Sequence, residues 1–89
     1  MAFEFDPDKS SNNEVKHGIN FDKAQELWVD AARVEVPAIT IDEPRTMVIG
    51  RIDGKIWAAV VTQRGEAVRI ISVRRARKEE EEIYESKGI

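Results

Sequence analysis

The sequence predicts an α+β fold in which a mostly antiparallel sheet of four to five strands packs with two N-terminal helices and one C-terminal helix. Residues 6–31 carry helix start and stop signals, and four later segments are rich in β-branched residues between turn formers. The 89 residues are 42% hydrophobic, which suits the core of one domain spanning residues 1–89. The expected element order is β-α-α-β-β-β-β-α.

The first elements are a short edge strand and a surface helix. Residues 3–5 alternate in polarity, and Asp6-Pro7 then supplies an N-cap followed by proline at the first helical position. The helix should end near residues 16–17, because Gly18 can take the left-handed conformation that terminates helices. Val15 is its one clear apolar anchor, so we expect the helix to lie on the surface.

A second helix is predicted after Asn20, which can cap its first turn. Its apolar residues recur at helical spacing and must pack on an apolar surface; they are Phe21, Ala24, Leu27, Trp28 and Ala31.

The sheet should supply that surface. The predicted strands are 34–36, 46–51, 56–62 and 67–73. Asp53-Gly54 indicates a tight hairpin between two of them, and residues 64–66 make another return. Residues 37–44 are predicted to form a loop.

The last element is predicted as a helix over residues 75–87, with few apolar residues to hold it. They are Ala76, Ile83 and Tyr84.

The composition excludes several kinds of site. The chain has no cysteine and one histidine, so disulfides and thiolate chemistry are excluded and a transition-metal site is disfavoured. It also lacks a Gly-rich phosphate loop and a nucleophile elbow. We therefore expect no metal and no cofactor. The first residues do not resemble a signal peptide and no segment is apolar enough to span a bilayer, so a cytoplasmic protein is expected.

Charge is distributed unevenly along the chain. The net charge is −3, yet residues 62–78 contain six basic residues and one acidic residue, Glu66, a local charge of +5. The basic residues are Arg64, Arg69, Arg74, Arg75, Arg77 and Lys78. One positive region on an acidic body is typical of a protein that binds an anion at one site, and arginine favours bidentate contacts to phosphate. The alternative is that these residues are solvated or paired with the acidic run 79–82.

The single histidine stands at a predicted helix end beside Lys16. The helix dipole there favours a charged imidazolium, so His17 is a candidate proton donor. Cleavage of RNA without a metal needs a base for the 2′-hydroxyl, an acid for the leaving oxygen, and cations for the extra negative charge. The plain alternative is a helix stop, because basic residues are common at helix C-termini.

Two arginines on and just after the last predicted strand raise a question of geometry. In a regular strand Arg69 shares a face with Ile71 and Val73, while Arg74 would point to the opposite face unless the strand ends or bulges near Ser72. A half-buried arginine needs an anion. For Arg69 that anion is either a ligand or an acid of the chain such as Glu4 or Glu26.

Two groups of residues resemble the signatures of the BrnT toxin family. The first is Asp6-Pro7-Asp8-Lys9, Asn13, Lys16 to Phe21 and Ala24. The second is Ile49-Gly50-Arg51, Thr62 to Gly65, Arg69 to Ala76, Glu80 and Tyr84. Phe5 stands where the family usually has tryptophan, and the acids 79–82 replace a more basic segment. Four adjacent acids would repel RNA if they faced the site.

The resemblance implies a RelE-like fold and a metal-independent ribonuclease that inhibits translation. It also implies a hetero-oligomeric complex with a BrnA-like antitoxin, whose ribbon-helix-helix part would bind operator DNA. The implied catalytic residues are Lys16, His17, Arg64, Arg69 and Arg74.

Each of these residues has an expected role. His17 would transfer the proton, Arg64 and Arg69 would stabilise the transition state, and Lys16 and Arg74 would position the RNA backbone. Further RNA contacts are expected from Arg75 and Tyr84, and Glu66 is a weaker candidate base.

The partner-binding surface is expected to combine charge with apolar area. Trp57 alternates with Ile56 and Ala58 on a strand that is apolar on both faces, and three helices are too few to cover both sides of the sheet. An antitoxin would therefore cover Trp57 together with Arg64 and Arg69. The rival interpretations are a non-catalytic module that binds its partner through these arginines, and a structural subunit whose arginines pair with its own acids.

Overall fold

The computed structural model describes residues 1–38 and 42–86, which form a five-stranded sheet with three α-helices and one 3₁₀ helix. In chain order the elements are β1 (Ala2–Glu4), α1 (Pro7–His17), α2 (Phe21–Ala24), the 3₁₀ helix Gln25–Val29, β2 (Val34–Ala38), β3 (Arg45–Ile52), β4 (Lys55–Arg64), β5 (Ala67–Arg75) and α3 (Lys78–Ser86). The α+β prediction is confirmed. No helix in these two ranges is both long and apolar enough to cross a membrane.

The sheet is mixed rather than mostly antiparallel. Its order is β1-β5-β4-β3-β2, with three antiparallel pairings and a parallel pairing of β1 with β5. The parallel register sets Glu4 opposite Arg69 and lets the Phe3 ring meet the Trp28 ring edge-on at 4.8 Å. The alternation of residues 3–5 predicted a strand but carried no information on its direction.

Helix α1 is capped as predicted but packs differently. The Asp6 carboxylate accepts the N–H of Asp8, and Gly18 ends the helix with φ 79°. Val15, the predicted anchor, is 90% exposed, whereas Asn13 is buried. The Asn13 side chain bonds both the N–H and the C=O of Val73. It thereby supplies hydrogen bonds to β5 beyond the end of the three-residue β1.

The second predicted helix is much shorter than expected. α2 ends at Ala24 and continues as the 3₁₀ helix to Val29, so Ala31 lies outside it. Asp30 stops the helix because its carboxylate accepts the backbone N–H groups of Ala32 and Arg51, at 2.9 and 2.8 Å. This network ties the chain after the 3₁₀ helix to β3.

Two layers of apolar side chains lie on opposite faces of the sheet. We call the face that carries α1 and α2 the helix face; its core is Ile19, Phe21, Ala24, Leu27, Val48, Ile52, Ala59, Val61, Val68, Ile70 and Val73. The smaller cluster on the opposite face, partly covered by α3, is Val34, Ile49, Ile56, Ala58 and Tyr84.

The strands are longer than predicted, which moves several boundaries. Pro37 and Ala38 belong to β2 rather than to a loop, and residues 39–41 of that loop lie outside the described residues. The predicted hairpin turn is confirmed, with Asp53 and Gly54 at positive φ. β5 runs to Arg75, so α3 begins at Lys78 instead of residue 75, and the predicted helix end at residue 87 lies outside the described residues.

Candidate functional site

A β-bulge in β5 places Arg69 and Arg74 on the same face of the sheet. Val60 pairs with Ser72 but Val61 pairs with Ile70, so Ile71 is an extra residue that reverses the alternation. Arg69 therefore does not share a face with Val73, as a regular strand would require; it shares one with Arg74.

We call the sheet face opposite the helix face the arginine face. The strand alternation and the two core clusters place five arginines of the described strands on this face. They are Arg45, Arg51, Arg64, Arg69 and Arg74.

Part of this face forms a polar row that crosses four strands. Thr62 pairs with Arg69, which pairs with Glu4 on β1. On the other side Arg45 precedes Thr46, the partner of Val61, so Arg45 lies beside Thr62. Because neighbouring strands lie about 4.8 Å apart, the two arginine backbones are separated by roughly 10 Å. Arg45 and Arg69 thus lie on either side of Thr62 in the middle of the sheet.

The arginines differ in how firmly they are paired. Arg69 meets Glu4 through one contact of 3.3 Å, which confirms the interpretation of an ion pair with that acid. Arg64 is half exposed, and its nearest carboxylate oxygen, on Glu43, is 3.9 Å away. Exposed pairs of this kind contribute about 0–1 kcal/mol, so an incoming phosphate can replace either carboxylate.

Arg74 is held much more tightly. Its two terminal nitrogens bond both oxygens of Glu80, at 2.8 and 2.9 Å, and Glu80 also accepts the backbone N–H of Arg77. The hydrogen bonds from Arg74 hold the pKa of Glu80 below its usual value, and the same bonds raise the pKa of Arg74. Arg74 therefore fixes the start of α3. Of the acidic run 79–82, Glu80 forms an ion pair within the protein instead of facing solvent.

Tyr84 is also engaged inside the fold. Its hydroxyl donates to Asp30 at 2.7 Å, and the Arg51 guanidinium lies over its ring at 5.6 Å. The bond to Asp30, together with burial, raises the pKa of Tyr84. Burial of Asp30 acts to raise the pKa of that carboxyl, but hydrogen bonds from Tyr84 and two backbone N–H groups outweigh it and lower the pKa.

Lys16 and His17 do not join the arginine face. They end α1, which packs against the outer edge of β5, and the next residue, Gly18, lines a cavity of about 180 Å³ with Trp57 on the helix face. Lys16 is exposed and His17 half-buried. The Arg75 guanidinium lies over the Trp57 ring at 5.6 Å.

The predicted site residues are therefore divided between two regions. Arg64, Arg69 and Arg74 lie on the arginine face. The other predicted residues lie off this face, with Lys16 and His17 in the last turn of α1 and Trp57 paired with Arg75 on the helix face. Trp57 is half-buried and packs against the core of the helix face. Glu66 lies exposed in the turn between β4 and β5.

Sequence reasoning missed Glu43, in the segment 37–44 predicted to be a loop, and Arg45, which stands between that loop and the strand predicted from residue 46. The Thr62 hydroxyl donates to the Pro44 carbonyl at 2.9 Å and holds this segment beside β4. β3 begins one residue before the predicted start at residue 46 and so includes Arg45.

No cluster of histidine and carboxylate side chains in residues 1–38 and 42–86 is arranged to hold a metal ion. A family model described as "Ribonuclease toxin, BrnT, of type II toxin-antitoxin system" matches residues 5–80. No curated protein matches the chain significantly.

Proposed function

The chain belongs to the BrnT family of ribonuclease toxins of type II toxin–antitoxin systems, and on this premise we propose that its arginine face binds and cleaves RNA without a metal ion. The observation that carries the proposal is the pairing of Arg69 with Thr62, since it places Arg69 on the same face as Arg64 and Arg45. The bulge at Ile71 adds Arg74 to this face, whereas a regular strand would have placed Arg74 on the opposite side of the sheet.

The arrangement suits a reaction that builds up negative charge on phosphorus. When a ribose 2′-hydroxyl attacks the adjacent phosphate, guanidiniums held beside the phosphate stabilise the added charge. Arg64 and Arg69 would supply this stabilisation, because their pairs with Glu43 and Glu4 are loose and partly exposed. Arg74 would contribute indirectly by fixing α3 at the border of the face.

The end of α1 is proposed as a second contact for the RNA chain. Lys16 and His17 are accessible there. Arg75 is exposed and lies over the Trp57 ring, and such a pair of a guanidinium and an aromatic ring suits contact with a nucleotide base. In this arrangement His17 reaches the scissile phosphate only if the RNA wraps around the edge of β5. Its proposed proton-transfer role is tested separately in the Discussion.

The proposed partner is a BrnA-like antitoxin with a ribbon-helix-helix part, which would carry all contact with operator DNA. Val36, Met47 and Val60 are half-buried apolar residues on the arginine face. An antitoxin segment that packs on them and places carboxylates over Arg64 and Arg69 would stabilise the fold and block the site together. Free toxin in the cytoplasm would then inhibit translation by cutting RNA.

A non-catalytic binding module is the second candidate. The observation in its favour is the saturation of Arg74 by Glu80, which removes one of the expected cations from contact with RNA.

Incubation of the purified protein with single-stranded RNA, with and without EDTA, separates the two functions. We expect cleavage that EDTA leaves unchanged and that falls about 100-fold in Arg69→Gln, the scale for one lost charge-stabilising donor. Lys9→Gln, which removes one exposed cation from α1, is the matched control and should cleave normally. Binding without cleavage would support the module, and cleavage abolished by EDTA would refute metal independence.

A further inference from the structure

A carboxylate stands between two guanidiniums at the border of the arginine face. Glu43 Oε1 lies 3.8 Å from an Arg45 terminal nitrogen, and Glu43 Oε2 lies 3.9 Å from an Arg64 terminal nitrogen. Both distances exceed that of a hydrogen bond. The carboxylate is therefore held in a positive field while its oxygens accept no hydrogen bond from the described residues.

The backbone that carries this group is anchored. The Thr62 hydroxyl bonds the Pro44 carbonyl at 2.9 Å, and Thr62 is buried at 5% exposure in the middle of the polar row. Glu43 and Arg45 flank the anchored residue on either side. The anchor thus sets the position of both side chains relative to β4 and Arg64.

Arg45, like Glu43, has a polar atom without a hydrogen-bond partner among the described residues. Its Nε is buried and has no hydrogen-bond partner among the described residues. A buried N–H without an acceptor is unfavourable, and an anionic oxygen that binds beside Arg45 would satisfy it. The guanidiniums of Arg45 and Arg64 can hold a phosphate, and the carboxylate of Glu43 between them can accept a proton from a group beside that phosphate.

We infer that Glu43 is the general base of the RNA cleavage proposed above, on which the inference rests. Glu43 accepts the proton of the 2′-hydroxyl as the 2′-oxygen forms a bond to phosphorus. The bond from phosphorus to the 5′-oxygen breaks, and that oxygen takes a proton from His17 if the RNA wraps around the edge of β5, and otherwise from water. The products are a 2′,3′-cyclic phosphate and a 5′-hydroxyl, and Glu43 returns its proton to solvent. Arg64 and Arg69 stabilise the phosphate during the step as proposed above, and Arg45 adds a third positive charge beside Glu43.

The other carboxylates of this side are less suited to the role. Glu4 accepts a hydrogen bond from Arg69 at 3.3 Å, and Glu80 accepts three hydrogen bonds. Glu66, the base considered from the sequence, lies exposed in a turn with no guanidinium within 4 Å among the described residues. Glu43 alone combines a free carboxylate with two flanking arginines in this part of the structure.

The test compares Glu43→Gln with Glu85→Gln, which removes one exposed carboxylate from α3 and should cleave RNA at the wild-type rate. Cleavage of a short RNA is measured under steady-state conditions, and binding is measured with the same RNA carrying 2′-O-methyl groups, which lack the nucleophile. We expect kcat of Glu43→Gln to fall about 100-fold or more, the scale of a lost general base. Its KM and its affinity for the methylated RNA should stay equal to wild type or improve, because a negative charge has been removed from the site.

The outcomes separate this inference from the proposed function. If the wild-type protein cleaves and Glu43→Gln cleaves equally fast, Glu43 is not the base, although the ribonuclease proposal stands. If Glu43→Gln raises KM and leaves kcat unchanged, the residue only positions the arginines and the inference fails. If the folded wild-type protein cleaves no RNA, both proposals fail. A circular dichroism spectrum of each variant confirms that it is folded.

Discussion

Replacing Glu80 with glutamine should destabilise the fold by about 2 kcal/mol, between the cost for an exposed and for a fully buried ion pair. The Glu80 side chain is 12% exposed and that of Arg74 is 26% exposed, which places their pair between the two extremes. Glutamine keeps one acceptor oxygen but loses the charge and the bidentate contact with Arg74. The loss also weakens the cap that Glu80 makes on the N–H of Arg77.

Thermal unfolding of wild type and Glu80→Gln measures the effect. For a domain of this size, 2 kcal/mol corresponds to a lowering of Tm by about 8–16 °C. Glu79→Gln is the matched control, because the neighbouring carboxylate is exposed and should change Tm by much less. If the two variants unfold at the same temperature, the pair between Glu80 and Arg74 does not hold α3, and the structural role given to Arg74 is refuted.

The acid dependence gives an independent check. Hydrogen bonds from Arg74 lower the pKa of Glu80 in the folded state below its ordinary value of 4.5. The stabilisation is therefore present above pH 4.5 and is lost as the pH falls through the lower, folded-state pKa. The difference in stability between wild type and Glu80→Gln should be full at neutral pH and should shrink below pH 4.5. A difference that is constant down to pH 2 would contradict the charged pairing.

Two further predictions concern the end of α1 and the partner. His17→Ala should slow RNA cleavage by about 100-fold if His17 transfers a proton, and a folded His17→Ala protein that cleaves at the wild-type rate would show that the residue only ends the helix. Co-expression with the product of the neighbouring reading frame should yield a complex that buries about 1,600 Å² or more. Reversing the charges of Arg64 and Arg69 should weaken this complex strongly at low salt, whereas Met47→Ala, which removes apolar area from the same face, should weaken it equally at all salt concentrations. The sequence placed Trp57 in this interface, but its side chain lies on the helix face, so Trp57→Ala should leave the complex unchanged. Failure of the two proteins to co-purify would count against the antitoxin.

The sequence by itself determined the features that depend on neighbouring residues. The Asp6 cap, the Gly18 stop and the Asp53-Gly54 turn are local, since each follows from the backbone preferences and hydrogen bonds of a few adjacent residues. The concentration of cations in residues 62–78 and the family resemblance were also visible in the chain alone.

Tertiary structure decided what each of these cations does. Whether Arg69 and Arg74 share a face depended on one extra residue in β5, and a bulge is specified by the pairing with β4 rather than by the composition of the strand. The pairing of Arg74 with Glu80 required α3 to begin where it does, three residues later than predicted. Neither fact can be obtained from periodicity, which assumes a regular strand and a helix with known limits.

The positions of Asn13 and Glu43 also could not be obtained from periodicity. Asn13 faces inward because the backbone of β5 lacks a strand partner beyond Arg69, and hydrophobic periodicity gives no weight to such a need. Glu43 comes beside Arg64 because the Thr62 hydroxyl bonds Pro44 across 18 residues of chain. Local propensity specified the caps and turns, whereas hydrogen bonds between distant segments decided which charged groups became neighbours.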